Sequence, residues 1–245
     1  MAQIKVYLPR PNGRMHAVHI LTVGEFGRAV AATLRGLLED VCETRADEGY
    51  SVYPAQWPIA QVRLLAAWRP TPGLSRACDE MSHAWRTPFI EAVMETPNLR
   101  VGPVVAPGLG ACHGCAERRA LQHSPRPGEH AALRDFYEAN PGQGPRGFLP
   151  AFAEIAAVRL AQFVRRVKRD PAAAAGHVWR MNTILRETTS GVVVGIHGCP
   201  RCGLKRDEST RSYAALRREL ADLLPPGAGV LRPDVGDEAG PMGAD

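Results

Sequence analysis

Four cysteines carry the chemistry that is easiest to read in this sequence. Cys112 and Cys115 lie in "GACHGCAER" at 110–118, and Cys199 and Cys202 lie in "HGCPRCGLK" at 197–205. Each pair has two-residue spacing, in a Gly- or Pro-containing turn whose backbone can aim both thiolates at one point. Four thiolates at tetrahedral corners suit a structural zinc ion, which is borderline-soft and has no geometric demand of its own. A redox role needs only one such motif at a helix N-terminus and leaves the second pair unexplained. Zinc ribbons keep their halves within about twenty residues, so the long gap here predicts a clasp between distant parts of one fold. His113 and His197 adjoin the cysteines, but a complete thiolate set leaves them beside the site rather than in it. Cys42 and Cys78 have no neighbouring partner, fall in stretches that read as helical, and are expected to be ordinary buried residues.

The rest of the chain must position those thiols. At 245 residues and 45% hydrophobic, it suffices for one large α/β domain or two small ones, with a core that needs no disulfides. The opening "MAQIKVYLPRPNGR" has no apolar stretch before a small-residue cleavage site, and no run of about eighteen apolar residues occurs. The expectation is a soluble, cytoplasmic protein with no membrane partner, where paired thiols serve as metal ligands or redox groups. The formal net charge is +5, with a pI near 9.1. The arginine clusters "VRRVKR" (164–169) and "ALRREL" (215–220) sit at helical positions facing away from apolar neighbours, which describes solvated helix faces. Aromatics make up 6% without the interleaved platform that single-strand binders use, so no nucleic-acid partner is expected.

Short β-rich runs alternate with helical ones. "AVHILTV" (17–23) reads as a buried strand entering a glycine turn at Gly24 and a helix over 26–41. "VRLLAAW" (62–68) is a second strand, followed by a helix over 74–86 with Leu74, Ala77, Met81 and Trp85 in register. "PFIEAVME" and "LRVGPVV" give two more short strands. This alternation predicts an open sheet of the dinucleotide-binding type through residue 110. The Pro/Gly-rich 120–147 reads as a loop or crossover around one short helix at 130–139. A long helix follows over 148–170, with Phe152, Ile155, Ala156, Leu160 and Phe163 on one face and Asp170-Pro171 as its stop. Two strands joined by a turn then lead into the second cysteine pair. The domain reading is a degenerate Rossmann-like half (1–110), a zinc-clasped crossover, long helix and C-terminal strands (111–224), and a disordered tail (225–245).

The glycine turn departs from a phosphate cradle, which needs G-x-G-x-x-G after the first strand. "GEFGRA" keeps Gly24 and Gly27, puts Phe26 where a missing side chain would admit a pyrophosphate, replaces the last glycine with Ala29, and adds the negative Glu25. Nucleotide binding is therefore disfavoured.

Together, the sheet pattern, "VGPVVAPGLGACHGC", the long helix and the strand pair ending "GCPRC" resemble the ThiF/MoeB-type (ubiquitin-activating-like) adenylating fold. More narrowly, they are similar to the cyclodehydratase C and ocin-ThiF-like proteins of azole-forming peptide biosynthesis, the partners of YcaO enzymes. The likeness runs over 17–215 and is most specific at the two cysteine segments. It implies an α/β, Rossmann-like open sheet with a structural zinc held by Cys112, Cys115, Cys199 and Cys202. Adenylating members also use an Arg-Gln pair and an Asp after a later strand. Here "TRADEGYSVYPAQ" lacks the pair, and Trp68-Arg69 stand in place of the Asp.

The resemblance thus implies a non-catalytic scaffold for a YcaO cyclodehydratase, with no catalytic residues of its own and ATP left to the partner. The reaction served is ATP-dependent cyclisation of Cys, Ser or Thr onto the preceding amide. Such proteins often begin with a winged-helix leader-binding domain, but here the first strand starts by residue 17. Whether this chain or a separate recognition protein binds the leader is accordingly left open, and so is homodimerisation. The alternatives are a true adenylating enzyme and a zinc-dependent nucleic-acid-binding protein.

Overall fold

The computed structural model describes residues 14–46 and 53–203. In chain order the elements are β1 (His16–Val23), α1 (Gly24–Leu37), β2 (Val41–Arg45), β3 (Ala60–Ala67), α2 (Pro72–Trp85), β4 (Phe89–Glu95), β5 (Asn98–Val101), α3 (His113–Gln122), α4 (Pro127–Ala139), α5 (Pro150–Arg169), α6 (Pro171–Ala174), β6 (His177–Asn182) and β7 (Thr188–Val192). The strands form one seven-stranded open sheet in the order β2-β1-β3-β4-β5-β6-β7. The first four are parallel and the last three antiparallel. The crossovers β1-α1-β2 and β3-α2-β4 leave β1 and β3 in opposite directions, so right-handed connections put α1 and α2 on opposite faces. This makes the gap between the carboxyl ends of β1 and β3 the topological switch point, where open α/β sheets place their ligands.

Both faces of the central strands are covered, which explains why β1, β3 and β4 read as nearly continuous apolar runs. On one face α5 packs against α1 and over β4 and β5. Its buried stripe is Ala153, Ala156, Ala157, Leu160, Ala161, Val164 and Val167, with Phe152, Ile155 and Phe163 at the stripe's margins. The expected face was therefore rotated slightly: alanines allow close approach, while the aromatics fill the flanks. Each large fully buried side chain, such as Phe26, Leu34 or Leu160, contributes about 1.5–3 kcal/mol of apolar burial. Lys168, Arg165 and Arg169 of "VRRVKR" lie exposed on the far side of α5. The "ALRREL" cluster and the 225–245 tail lie outside the described residues.

Two of the expected elements differ in the structure. The first helix stops at Leu37, and Val41–Arg45 is a strand, so Cys42 sits half-buried on β2 rather than on a helix. The backbone is already extended at Leu38 (φ −133, ψ 146), and Asp40, at φ 51, turns the chain into β2 with its carboxylate accepting from His16 Nδ1 at 2.9 Å and the Ala17 N–H at 3.1 Å. The second correction concerns 113–139, which holds two helices where a turn and one short helix were expected.

Candidate metal centre

Cys112 is the residue before α3, and Cys115 lies in the helix's first turn with its side chain inward. The first pair is thus held by a helix start rather than a free turn, and the intrahelical bond from the Ala116 N–H to the Cys112 carbonyl (3.3 Å) fixes it. The second pair follows β7 through a short loop. Gly198 at φ 69 turns the chain, and the Gly203 N–H closes a tight loop on the Cys199 carbonyl at 2.7 Å. A Cβ on Gly203 would collide with the Cys199 backbone at 2.5 Å, so only glycine closes this knuckle.

Chain folding brings all four thiols together. Their sulfurs lie within 4.8 Å of one another and all four residues are buried. Cys112 Sγ stands 3.7 Å from both Cys115 Sγ and Cys199 Sγ, and Cys115 Sγ stands 3.4 Å from Cys202 Sγ. These are not disulfides, which need about 2.05 Å. Four sulfurs about 2.3 Å from one zinc would stand about 3.8 Å apart at tetrahedral corners, so the spacing fits that ion. The Ile196 N–H donates to Cys115 Sγ at 3.3 Å. Burial pushes the Cys112 thiol well up and Cys202 to about 11. For Cys199 burial also opposes ionisation, but the backbone N–H groups of Cys202 and Arg201 and the nearby thiols bring it to about 6. A cation among the four sulfurs would hold the set as thiolates.

Asp79 on α2 ties the two knuckles to the body of the fold, and sequence reading missed it. One of its oxygens accepts the His113 N–H at the start of α3 (3.0 Å), and the other accepts Arg201 Nη1 at 2.6 Å. Arg201 lies between the second pair of cysteines and also reaches Glu80 at 3.2 Å. A carboxylate at the N-terminus of α3 also suits the helix dipole. His113 turns away from the sulfurs, and its Nε2 meets Glu91 Oε1 at 2.7 Å. Glu91, fully buried on β4, also accepts from Ser75 Oγ (2.8 Å) and Arg100 Nη1 (2.6 Å). Burial alone would raise the Glu91 pKa, but Arg100 and His113 hold it far below the carboxylate range. His197 is exposed. Cys78 is buried on α2, outside the thiol cluster.

The switch point is filled from within. Gly24, at φ 68, starts α1, and a Cβ there would run into the Trp68 indole that follows β3. Gly27 lets α1 approach the Ala66 carbonyl closely. Phe26 does not stand over this place as expected. It is on the buried face of α1 with Val30 and Leu34, edge-on to Phe148 at 5.4 Å. Trp68 is the blocking side chain, and it is covered in turn. Gly144 passes against it, and Arg69 stacks between Trp68 (5.3 Å) and Tyr137 (4.8 Å) while donating to the Pro141 carbonyl at 2.5 Å. Beyond it a groove of about 1280 Å³ runs between α3, α4 and the sheet face of β4 to β7, with Arg100, Arg180, Asn182 and Thr189 among its lining.

No family model matches this chain, and no curated protein matches it. Solved structures share its fold at low identity. The heterocyclase TruD is 19% identical, with a TM-score of 0.55 over 77% of this chain and 28% of that one. E. coli MccB with MccA-N7isoASN is 14% identical, with a TM-score of 0.54 over 77% of this chain and 67% of that one. The E. coli microcin synthetase McbBCD complex is 11% identical, with a TM-score of 0.53 over 78% of this chain and 71% of the matched chain. This chain therefore spans only 28% of the heterocyclase's length.

Proposed function

We propose that this chain is a non-catalytic, zinc-clasped partner of a YcaO cyclodehydratase, serving the biosynthesis of a ribosomally made azole or azoline peptide. The observation that carries the reading is the buried four-thiol cluster on this fold, together with a switch point filled by the chain's own Trp68. The fold likeness to a heterocyclase and a microcin synthetase complex supports the pathway. Zinc would be held by Cys112, Cys115, Cys199 and Cys202, and would supply a cross-link rather than chemistry. The chain's own residues do the rest: Asp79 and Arg201 dock the second knuckle on α2, and Glu91 locks α2, α3 and β5 together.

An adenylating role is not favoured. The indole lies against the turn where a pyrophosphate would approach, and Trp68-Arg69-Pro70 follow β3 with no carboxylate to hold magnesium. Catalysis would come from holding the precursor peptide against the YcaO partner. The test is calorimetry with Mg-ATP together with co-elution of the chain with its YcaO partner. No heat of ATP binding and a stable complex are expected. Micromolar ATP binding without complex formation overturns the reading in favour of adenylation.

A further inference from the structure

Arg63, in the middle of β3, is only 1% exposed. It stands in register with His19 of β1, and its Nε donates to His19 Nδ1 at 3.1 Å. That bond fixes the imidazole as the tautomer protonated on Nε2, which donates in turn to Thr44 Oγ1 at 2.9 Å. Burial, with Arg63 beside it, brings the His19 pKa to about 3, so this neighbour is neutral. Arg63 Nη2 donates to the Pro58 carbonyl at 3.0 Å.

The guanidinium lies in an aromatic slot. Its Cζ is 4.9 Å from the Trp57 ring centre and 4.6 Å from that of Trp85, and the two indoles meet edge to face at 6.2 Å. Ring faces attract a cation but carry no net charge to cancel it. Among the described residues no carboxylate pairs with Arg63. The groups that act on its charge are the thiols of Cys78 and Cys42, which burial pushes up and so keeps neutral. Burial lowers the Arg63 pKa itself to about 10. A buried cation in this position is strongly disfavoured unless a counter-charge accompanies it.

Three buried donors of the same slot lack an acceptor: Arg63 Nη1, Trp57 Nε1 and Trp85 Nε1. Orphaned donors of this kind mark a bound water or ion. A water would bring two hydrogens that need acceptors of their own, and it would leave the charge unpaired. An anion answers both needs at once. We infer that the slot binds a small monovalent anion of chloride size, held by Arg63 Nη1 together with the indole N–H groups of Trp57 and Trp85.

Burial selects the occupant. Arg63 and Trp57 are 1% and 5% exposed, which excludes a peptide or a nucleotide and leaves an ion small enough to be enclosed. Trp85 ends α2 and is only partly buried, so the ion enters past one side chain. Trp57 precedes β3 and Trp85 precedes β4, which places the slot toward the amino ends of these parallel strands, whereas Trp68 follows β3 at the other end. The bound ion would pin the end of α2 to the segment that enters β3.

The experiment uses the full chain and no YcaO protein, so its failure is separable from that of the proposed function. Thermal melts are compared in sodium chloride and in sodium gluconate, whose anion is too bulky to be enclosed, at the same ionic strength of about 150 mM. Chloride should raise the melting temperature by about 3–6 °C for a site with a Kd of about 10 mM. Arg63→Met keeps an apolar stem between the indoles and should abolish the shift. Trp85→Phe, a milder change that decides the matter where Arg63→Met does not fold, removes one donor and should raise the chloride midpoint about threefold to tenfold. Crystals grown in bromide should show its anomalous peak beside Arg63 Nη1. Equal melts in the two salts overturn the inference. So do a shift that persists in Arg63→Met, a midpoint unmoved in Trp85→Phe, and a bromide-grown crystal with water alone in the slot.

Discussion

Replacing Cys199 with serine (C199S) should cost this protein about 5 kcal/mol. The zinc of the proposed clasp would tie Cys112 to Cys199, 87 positions apart, and the closed loop would contain α3 to α6, β6 and β7. Cross-linking a loop of that length removes roughly 4.6 kcal/mol of conformational entropy from the unfolded chain at 25 °C. Serine is nearly the same size as cysteine, so little cavity cost is added. Chains of this length lose about 2–4 °C of melting temperature per kcal/mol, which gives a drop of roughly 9–18 °C. Metal analysis and calorimetry on the same sample read both halves: C199S should lose its zinc and melt early, whereas Cys78→Ser, buried but outside the cluster, should keep the metal. If C199S retained a full equivalent of zinc and melted within about 2 °C of the unaltered chain, the clasp would not be what joins these segments.

Glu91→Gln leaves Arg100 and His113 without their buried anion, and should destabilise the fold by about 3–5 kcal/mol in urea unfolding while zinc stays bound. His19 gives a pH signature. Burial, then Arg63 and His16, lower its pKa to about 3, while the unfolded chain protonates near 6.5. A folded pKa below the unfolded one means that its stability contribution is full above about 6.5 and declines as pH falls toward 3. Between pH 7.5 and 5.5 the unaltered chain should lose about 1.4 kcal/mol more than His19→Gln. Equal losses would show that His19 titrates normally in the fold.

The strands and the long helix were legible because burial on both faces writes itself into sequence as apolar runs, and Asp170-Pro171 marks a stop. Strand β2 was not: Leu37, Leu38 and Val41 continue the helical period, and the extended backbone at Leu38 and the turn at Asp40, held by His16 and Ala17, break it. Helix α3 was hidden because it is polar and short, although Cys115, Arg119 and Cys112, Ala116 already stand at helical intervals. The four thiols were readable from spacing alone, since ligand type and turn are local. Their anchors were not. Asp79 and Glu91 look like any helix or strand carboxylate until folding brings Arg201, His113 and Arg100 beside them. The same holds for Trp68. Sequence marked Phe26 as the obstacle at the glycine turn, but a side chain at that point of α1 falls on its buried face, and the residue after β3 takes the place instead.

On the proposed function, this chain aids a reaction performed elsewhere. It is tested most directly by the rate at which a YcaO partner dehydrates its precursor peptide, followed as loss of water by mass spectrometry, with and without this protein. A large acceleration by the unaltered chain is expected, kept in Glu25→Gln and lost with the zinc in C199S. An equal rate without the chain would contradict it, as would loss of the acceleration in Glu25→Gln within an intact complex.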